Sequence, residues 1–225
     1  MPYVCVTLTE ADVYSTVKLA NSLDCDIIEV RLDHLKDKSV LQRLKDIRKP
    51  LMVTCMPKWE GGAYNLSEEK RIELLKSVLD YADYVTIELK TREDLRQELI
   101  DEAHGRGVKV IVSYHDFEKT PKVEDMLEIL YQEADAGADI VKVAFKPKKY
   151  IDVLAVLEAQ LLAELKIPII ALSMGELGRI TRVVGPMLGG YLTFAAPSSK
   201  SRADAGQYSI YDMKEIRRLL WDENR

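Results

Sequence analysis

A lysine stands in the middle of an apolar run, Ala138-Asp139-Ile140-Val141-Lys142-Val143-Ala144, with Gly137 ahead of it. Read as a strand, the run places Ile140, Lys142 and Ala144 on one face and Val141 and Val143 on the other. Lysine is rarely buried without a partner or a task, because taking an ammonium out of water is costly. Desolvation makes the amine give up its proton more easily, and a neutral amine attacks carbonyl carbon. The plain alternative is a strand-end lysine whose ammonium reaches solvent. Spacing alone leaves both readings open.

Other groups with chemical reach stand at the ends of further apolar runs. Glu29, Arg31 and Asp33 fall on one face by alternation. Lys58 and Glu60 follow the run at 51–55, Glu88 closes the one at 84–89, and His115-Asp116 follows 108–114. Ser173-Met174-Gly175 comes after 167–172, and Arg182 lies a short way beyond. Ser198, Ser199, Ser201, Arg202 and Gln207 come after 189–194. Each has a structural alternative. Glu29 and Arg31 read equally as an ion pair that closes the fold. Asp116 reads as a turn residue, His34 and His104 as packed or surface histidines, and Arg179 and Lys146-Pro147-Lys148-Lys149 as solvated charge.

The elements that would position these groups follow from periodicity. Strands are expected over 3–8, 26–32, 51–55, 84–89, 108–114, 138–144, 167–172 and 189–194. Helical patterns fall over 11–22, 35–47, from Ser67 through Leu79, and over 91–104, 120–135, 149–165, 176–184 and 211–221. Ser67 reads as a cap with Glu68 and Glu69 in the first turn. Gly105 and Gly107 stop a helix, and Thr120-Pro121 starts one, threonine as cap and proline at the first helical position. Strand and helix alternate eight times at about 25–30 residues per unit, which argues for a parallel sheet with helices outside. Eight units predict an α/β fold, a single-domain (β/α)8 TIM barrel over residues 1–225. The alternative is an open doubly wound sheet, usually marked by a glycine-rich first turn. Here the first strand ends in Thr7-Leu8-Thr9-Glu10. A barrel gathers its site at the C-terminal ends of its strands. A lysine, a histidine, carboxylates and arginines then meet at one mouth, as suits an enzyme acting on a small anionic carbonyl compound.

Composition narrows the partners. The 225 residues are 47% hydrophobic, enough for a sizeable core. A net charge of −5 with no basic arm argues against nucleic acid. Cys5, Cys25 and Cys55 are odd in number and lack metal-ligand spacing, so reduced thiols and no metal site are expected. No apolar run reaches about 18 residues, so no membrane span is expected. The start, Met1-Pro2-Tyr3-Val4-Cys5, enters a strand at once and does not read as a signal peptide. A cytoplasmic protein is expected.

Taken in order, Glu29-Val30-Arg31-Leu32-Asp33-His34, Glu60-Gly61-Gly62, Ser113-Tyr114-His115-Asp116-Phe117, Thr120-Pro121, the Lys142 strand, Ser173-Met174-Gly175 and Arg182-Val183 form a recognisable series. It resembles the type I 3-dehydroquinate dehydratases of the shikimate pathway, which supply aromatic amino acid biosynthesis, over about residues 4–216. The resemblance implies a homodimeric lyase that dehydrates 3-dehydroquinate to 3-dehydroshikimate through a Schiff base on Lys142. It makes His115 the general acid/base and Glu60 the acidic residue beside it. It assigns substrate binding to Glu29, Arg31, Arg182, Gln207 and Ser201, or to Ser199 in place of Ser201 because the last loop is longer here. The family's arginine after strand three falls on Met56, and Lys58 is the residue placed to replace its charge. No metal or organic cofactor is implied, since the imine is the electron sink. Two rivals remain at this level. A class I aldolase shares the lysine, and a catalytically silent barrel could bind a small acid.

Overall fold

Eight parallel strands and the helices between them make up the computed structural model, which describes residues 2–201, 204 and 206–221. The strands are β1 (Tyr3–Leu8), β2 (Ile27–Arg31), β3 (Leu51–Thr54), β4 (Tyr84–Glu88), β5 (Lys109–Asp116), β6 (Ile140–Phe145), β7 (Ile169–Ser173) and β8 (Leu192–Ala195). They pair in the order β7-β6-β5-β4-β3-β2-β1-β8. The sheet curls into a nearly closed barrel. At the seam the Tyr191 N–H, just ahead of β8, donates to the Ile169 carbonyl at 2.9 Å.

Alternation along the strands sorts the apolar residues into two cores. Val4, Val6, Val141 and Val143 point outward into a core shared with the helices. Cys5, Ile27, Met52, Ile111, Ile140, Ile170 and Leu192 point inward and fill the lower half of the barrel. Tyr84 and Tyr191 floor it, with their hydroxyls 3.0 Å apart. Ile140 and Ala144 lie in the inner core, as expected for the face that carries Lys142.

The helices are α1 (Val13–Ser22), α2 (Glu68–Lys76), α3 (Glu93–Gly105), α4 (Val123–Asp135), α5 (Tyr150–Leu162), α6 (Gly175–Gly178), α7 (Thr181–Met187) and α8 (Ile210–Ile216). Asp12, Ser67 and Ser209 cap α1, α2 and α8 through their side chains.

Four local expectations are corrected. The 35–47 stretch is no α-helix and carries only a 3-10 turn at Leu41–Asp46. Asp37 takes both the N–H and the hydroxyl of Ser39, a side-chain turn that competes with helix, so Leu35, Leu41 and Leu44 are buried without one. Thr120-Pro121 does not open α4, which starts at Val123. Asp116 instead accepts from the N–H groups of Glu118 and Lys119, and that turn carries the chain past Pro121 first. The 176–184 helix is two pieces, α6 and α7. The closing helix covers Ile210–Ile216 and then widens into a π-turn at Arg217–Trp221.

Candidate active site

Lys142 is held at mid-height in the barrel because β6 pairs it with Ser113 on one side and Ile170 on the other. It is 7% exposed, and its Nζ lies 4.3 Å from the centre of the Phe194 ring. Burial lowers the pKa of the amine from its ordinary value, with Glu29 opposing that shift. Behind the strand, Glu133 of α4 accepts the Lys142 backbone N–H at 2.9 Å. The Glu133 side chain is buried, and its second oxygen has no hydrogen-bond partner. Burial pushes this carboxyl well above its usual range, which favours its neutral form.

His115 extends from β5, two residues beyond Ser113, so it shares the inward face with Lys142 on the neighbouring strand. Its Nδ1 lies 3.2 Å from Oε2 of Glu60, and Phe117 stacks on the ring at 6.2 Å between centroids. Glu60 reaches inward because a short turn, Lys58–Glu60, ends at Gly61, whose φ of +82° is a left-handed conformation. A Cβ on Gly62 would lie 2.0 Å from the Met56 carbonyl oxygen, so only glycine lets the loop fold this tightly. Burial raises Glu60 to about 7 and, with help from the Lys142 charge, lowers His115 well below its ordinary value. Both shifts favour the neutral forms of the pair, a protonated carboxyl beside an uncharged imidazole. Engaging Nδ1 leaves the other ring nitrogen to exchange protons with whatever fills the pocket.

Glu29 is fixed by two hydroxyls, Thr7 donating to Oε2 at 2.7 Å and Thr54 to Oε1 at 2.8 Å. Arg31 forms a two-pronged ion pair with Asp33, at 2.8 and 2.7 Å. Asp33 also accepts from the backbone N–H groups of Met56 and Ala63. Glu88 is fully buried and raised to about 7 by burial, against the pull of Arg71 at 2.5 Å. Arg71, itself fully buried, also donates to the Cys55 carbonyl and to Thr91.

Arg182 of α7 is 3% exposed and lines the pocket beside Phe194 and Gln207. Its Nη2 donates to Asp204 at 2.6 Å. Met56 lines the pocket as well. Lys58, Ser199 and Ser201 are exposed and are not among the lining residues. Arg202 lies outside the described residues. The barrel therefore brings Lys142, His115, Glu29, Arg31, Arg182 and Gln207 around one pocket, with Glu60 bonded to His115. Lys58 and the loop serines stay outside it.

Several residues of this site stand out only in the folded chain. Thr7 and Thr54 look like ordinary strand threonines until the register sets them beside Glu29. Arg71 sits three residues after Glu68 and reads as a surface helix pair. Glu133 did leave a signal, because Met126, Leu130 and Glu133 follow helical spacing and put a carboxylate on an apolar stripe. Asp204 left none that could be told from a loop charge.

Fold and site together define a parallel (β/α)8 barrel enzyme with a buried amine and an imidazole at the strand C-termini. A family profile described as type I 3-dehydroquinase matches residues 4–223. The 3-dehydroquinate dehydratase of Methanocaldococcus jannaschii is 38% identical over 223 residues, covering 96% of this chain and 98% of the relative. That of Methanococcus maripaludis is 36% identical, covering 96% and 99%. The crystal structure of the Clostridium difficile type I enzyme superposes with a TM-score of 0.90 at 32% identity, covering 100% of this chain and 94% of that one. The chain belongs to the type I 3-dehydroquinase family, a group of hydro-lyases.

Proposed function

We propose that this protein dehydrates 3-dehydroquinate to 3-dehydroshikimate in the shikimate pathway, through a Schiff base on Lys142. The observation that carries the mechanism is a desolvated amine and, two residues beyond its register partner Ser113 on the next strand, a histidine bonded to a carboxyl, both lining one pocket. The neutral amine of Lys142 adds to the C3 ketone, and loss of water gives a protonated imine. That cation draws electrons from C2, so its proton becomes acidic enough for His115 to remove. The electron pair then forms the C1–C2 double bond as the C1 hydroxyl departs. His115 returns the proton to that hydroxyl, and water leaves. Hydrolysis of the imine frees Lys142 and the product ketone.

Glu60 holds the imidazole by Nδ1 and shares its proton. Glu29, fixed by Thr7 and Thr54, and Arg31, fixed by Asp33, are placed to meet the ring hydroxyls. Arg182 takes the carboxylate, since arginine is the side chain suited to paired hydrogen bonds with one. Gln207 completes the binding set. Lys58 and Ser201 are left without a part in it by their exposure. Turnover is read from the ultraviolet absorbance of the conjugated enone. No enone from 3-dehydroquinate with folded protein would refute the proposal.

Action as one domain, as a homodimer and in the cytoplasm belongs to the same reading. α5 is apolar on both faces, and Tyr150, Ile151, Leu154, Leu161 and Leu162 are exposed beside Met187 and Leu188 of α7. A second copy would cover that face, and light scattering at two concentrations tests it. Among the described residues all three cysteines are unpaired, and no helix is long and apolar enough to cross a membrane. Cell fractionation tests the location.

A further inference from the structure

The protein itself takes up one edge of the Arg182 guanidinium. Asp204 lines the pocket, and its carboxylate accepts three kinds of donor. Arg182 Nη2 lies 2.6 Å from Oδ2, the Gly175 N–H 3.0 and 3.2 Å from the two oxygens, and the Gly206 N–H 3.2 Å from Oδ2. Nη1 points to the Phe194 carbonyl at 3.4 Å, and Nε is shut off from solvent without a partner. The other guanidinium in the pocket, Arg31, is matched on both prongs by Asp33. Among the described lining residues, an entering carboxylate therefore finds no guanidinium that is not already paired with an aspartate.

We propose that Asp204 is an internal stand-in for the substrate's carboxylate, held on Arg182 until an incoming carboxylate displaces it. The inference rests on the assignment of Arg182 to the substrate carboxylate. Two carboxylates on one buried guanidinium edge would repel each other, so Asp204 must swing off for a ligand carboxylate to take the Nη2 and Gly175 donors. The displacement weakens every carboxylate ligand in inverse proportion to the fraction of time that Asp204 leaves the site open. It also selects for ligands that bring enough further contacts, such as ring hydroxyls, to overcome that competition.

Asp204→Asn keeps the size and the backbone bonds but removes the charge. The probes are 3-dehydroquinate in steady-state turnover and quinate, which lacks the ketone, in calorimetric titration. The variant should bind quinate about tenfold more tightly and lower KM by a similar factor, with kcat nearly unchanged. Asp204→Ala should do the same, which guards against a folding defect peculiar to asparagine, and circular dichroism checks both. In an Arg182→Ala background the gain should vanish. An unchanged or weaker affinity for quinate in both Asp204 variants would overturn the proposal and make Asp204 a brace that orients Arg182. Tighter quinate binding with no turnover of 3-dehydroquinate would uphold the stand-in and instead refute the proposed reaction.

Discussion

The lower and upper halves of the barrel interior are built by the same strands, one inward position apart, and they differ in almost every physical respect. Below, Cys5, Ile27, Met52, Ile111, Ile140 and Ile170 pack against one another. One step higher on those strands stand Thr7, Glu29, Thr54, Ser113, Lys142 and Leu172. The lower half stabilises the fold through buried apolar area. The upper half costs stability, because it keeps an amine and several carboxyls out of water. Some of that cost is offset, in part by Arg71 for Glu88 and by the two threonines for Glu29. At Lys142, Glu60 and His115 the compensation is incomplete, and there the burial-driven pKa shifts bring amine, carboxyl and imidazole towards neutrality. Glu88 and Glu133 are raised by burial as well, so it is the meeting of amine and imidazole in the pocket, and not the shift by itself, that singles out the groups of the proposed chemistry.

Substitutions in the two halves should therefore fail differently. His115→Ala removes the proposed proton carrier and should cut turnover by about 10²–10⁴-fold, with the fold intact by circular dichroism. Near-normal turnover would take His115 out of the chemistry. Ile111→Ala empties the apolar plug and should cost about 2–5 kcal/mol in denaturant unfolding. Lys142→Ala should leave stability unchanged or raise it, since it removes a buried amine. A larger loss from Lys142→Ala than from Ile111→Ala would break the comparison. Arg182→Ala should raise KM by roughly tenfold or more, as expected for a charge-assisted contact. Lys58→Ala should leave KM within about twofold, because an exposed cation contributes little.

The subtlest effect concerns pH. The Glu60 carboxyl is held at about 7 in the fold, above its ordinary value of 4.5, and burial is the main cause. Between those two values the native state binds the proton that the unfolded chain has lost. This group's contribution to stability therefore falls as pH rises through that window. Glu60→Gln has no such dependence, so its melting temperature should gain on the wild type between pH 5 and pH 8. A constant difference across that range would show that Glu60 is ionised throughout. The acid limb of the rate profile should shift in the same variant.

Much of this was legible in the sequence, and the reason differs from one residue to another. Alternation sets Lys142 on one face with Ile140 and Ala144, and the barrel follows from eight alternating units. His115 was legible as a residue just past an apolar run, although β5 carries it inside the strand. What stayed hidden depends on distant chain segments meeting. Asp204 reaches Arg182 across 22 residues, and Glu133 reaches the Lys142 N–H from a helix read as ordinary. The misread helix at 35–47 has a local cause instead, a side-chain turn at Asp37 that apolar spacing does not register. Lys58 lies only two residues from Met56. In a tight turn, a separation of two residues is enough to send one side chain into the pocket and the other out of it.

The central claim is that the upper half exists to keep one amine reactive. Incubation with 3-dehydroquinate and borohydride, followed by peptide mass spectrometry, tests it most directly. Reduction should fix one substrate-derived adduct per chain on the peptide that carries Lys142, and none should form in Lys142→Ala. An adduct on Lys58 or Lys146, or turnover with no adduct at all, would contradict the account.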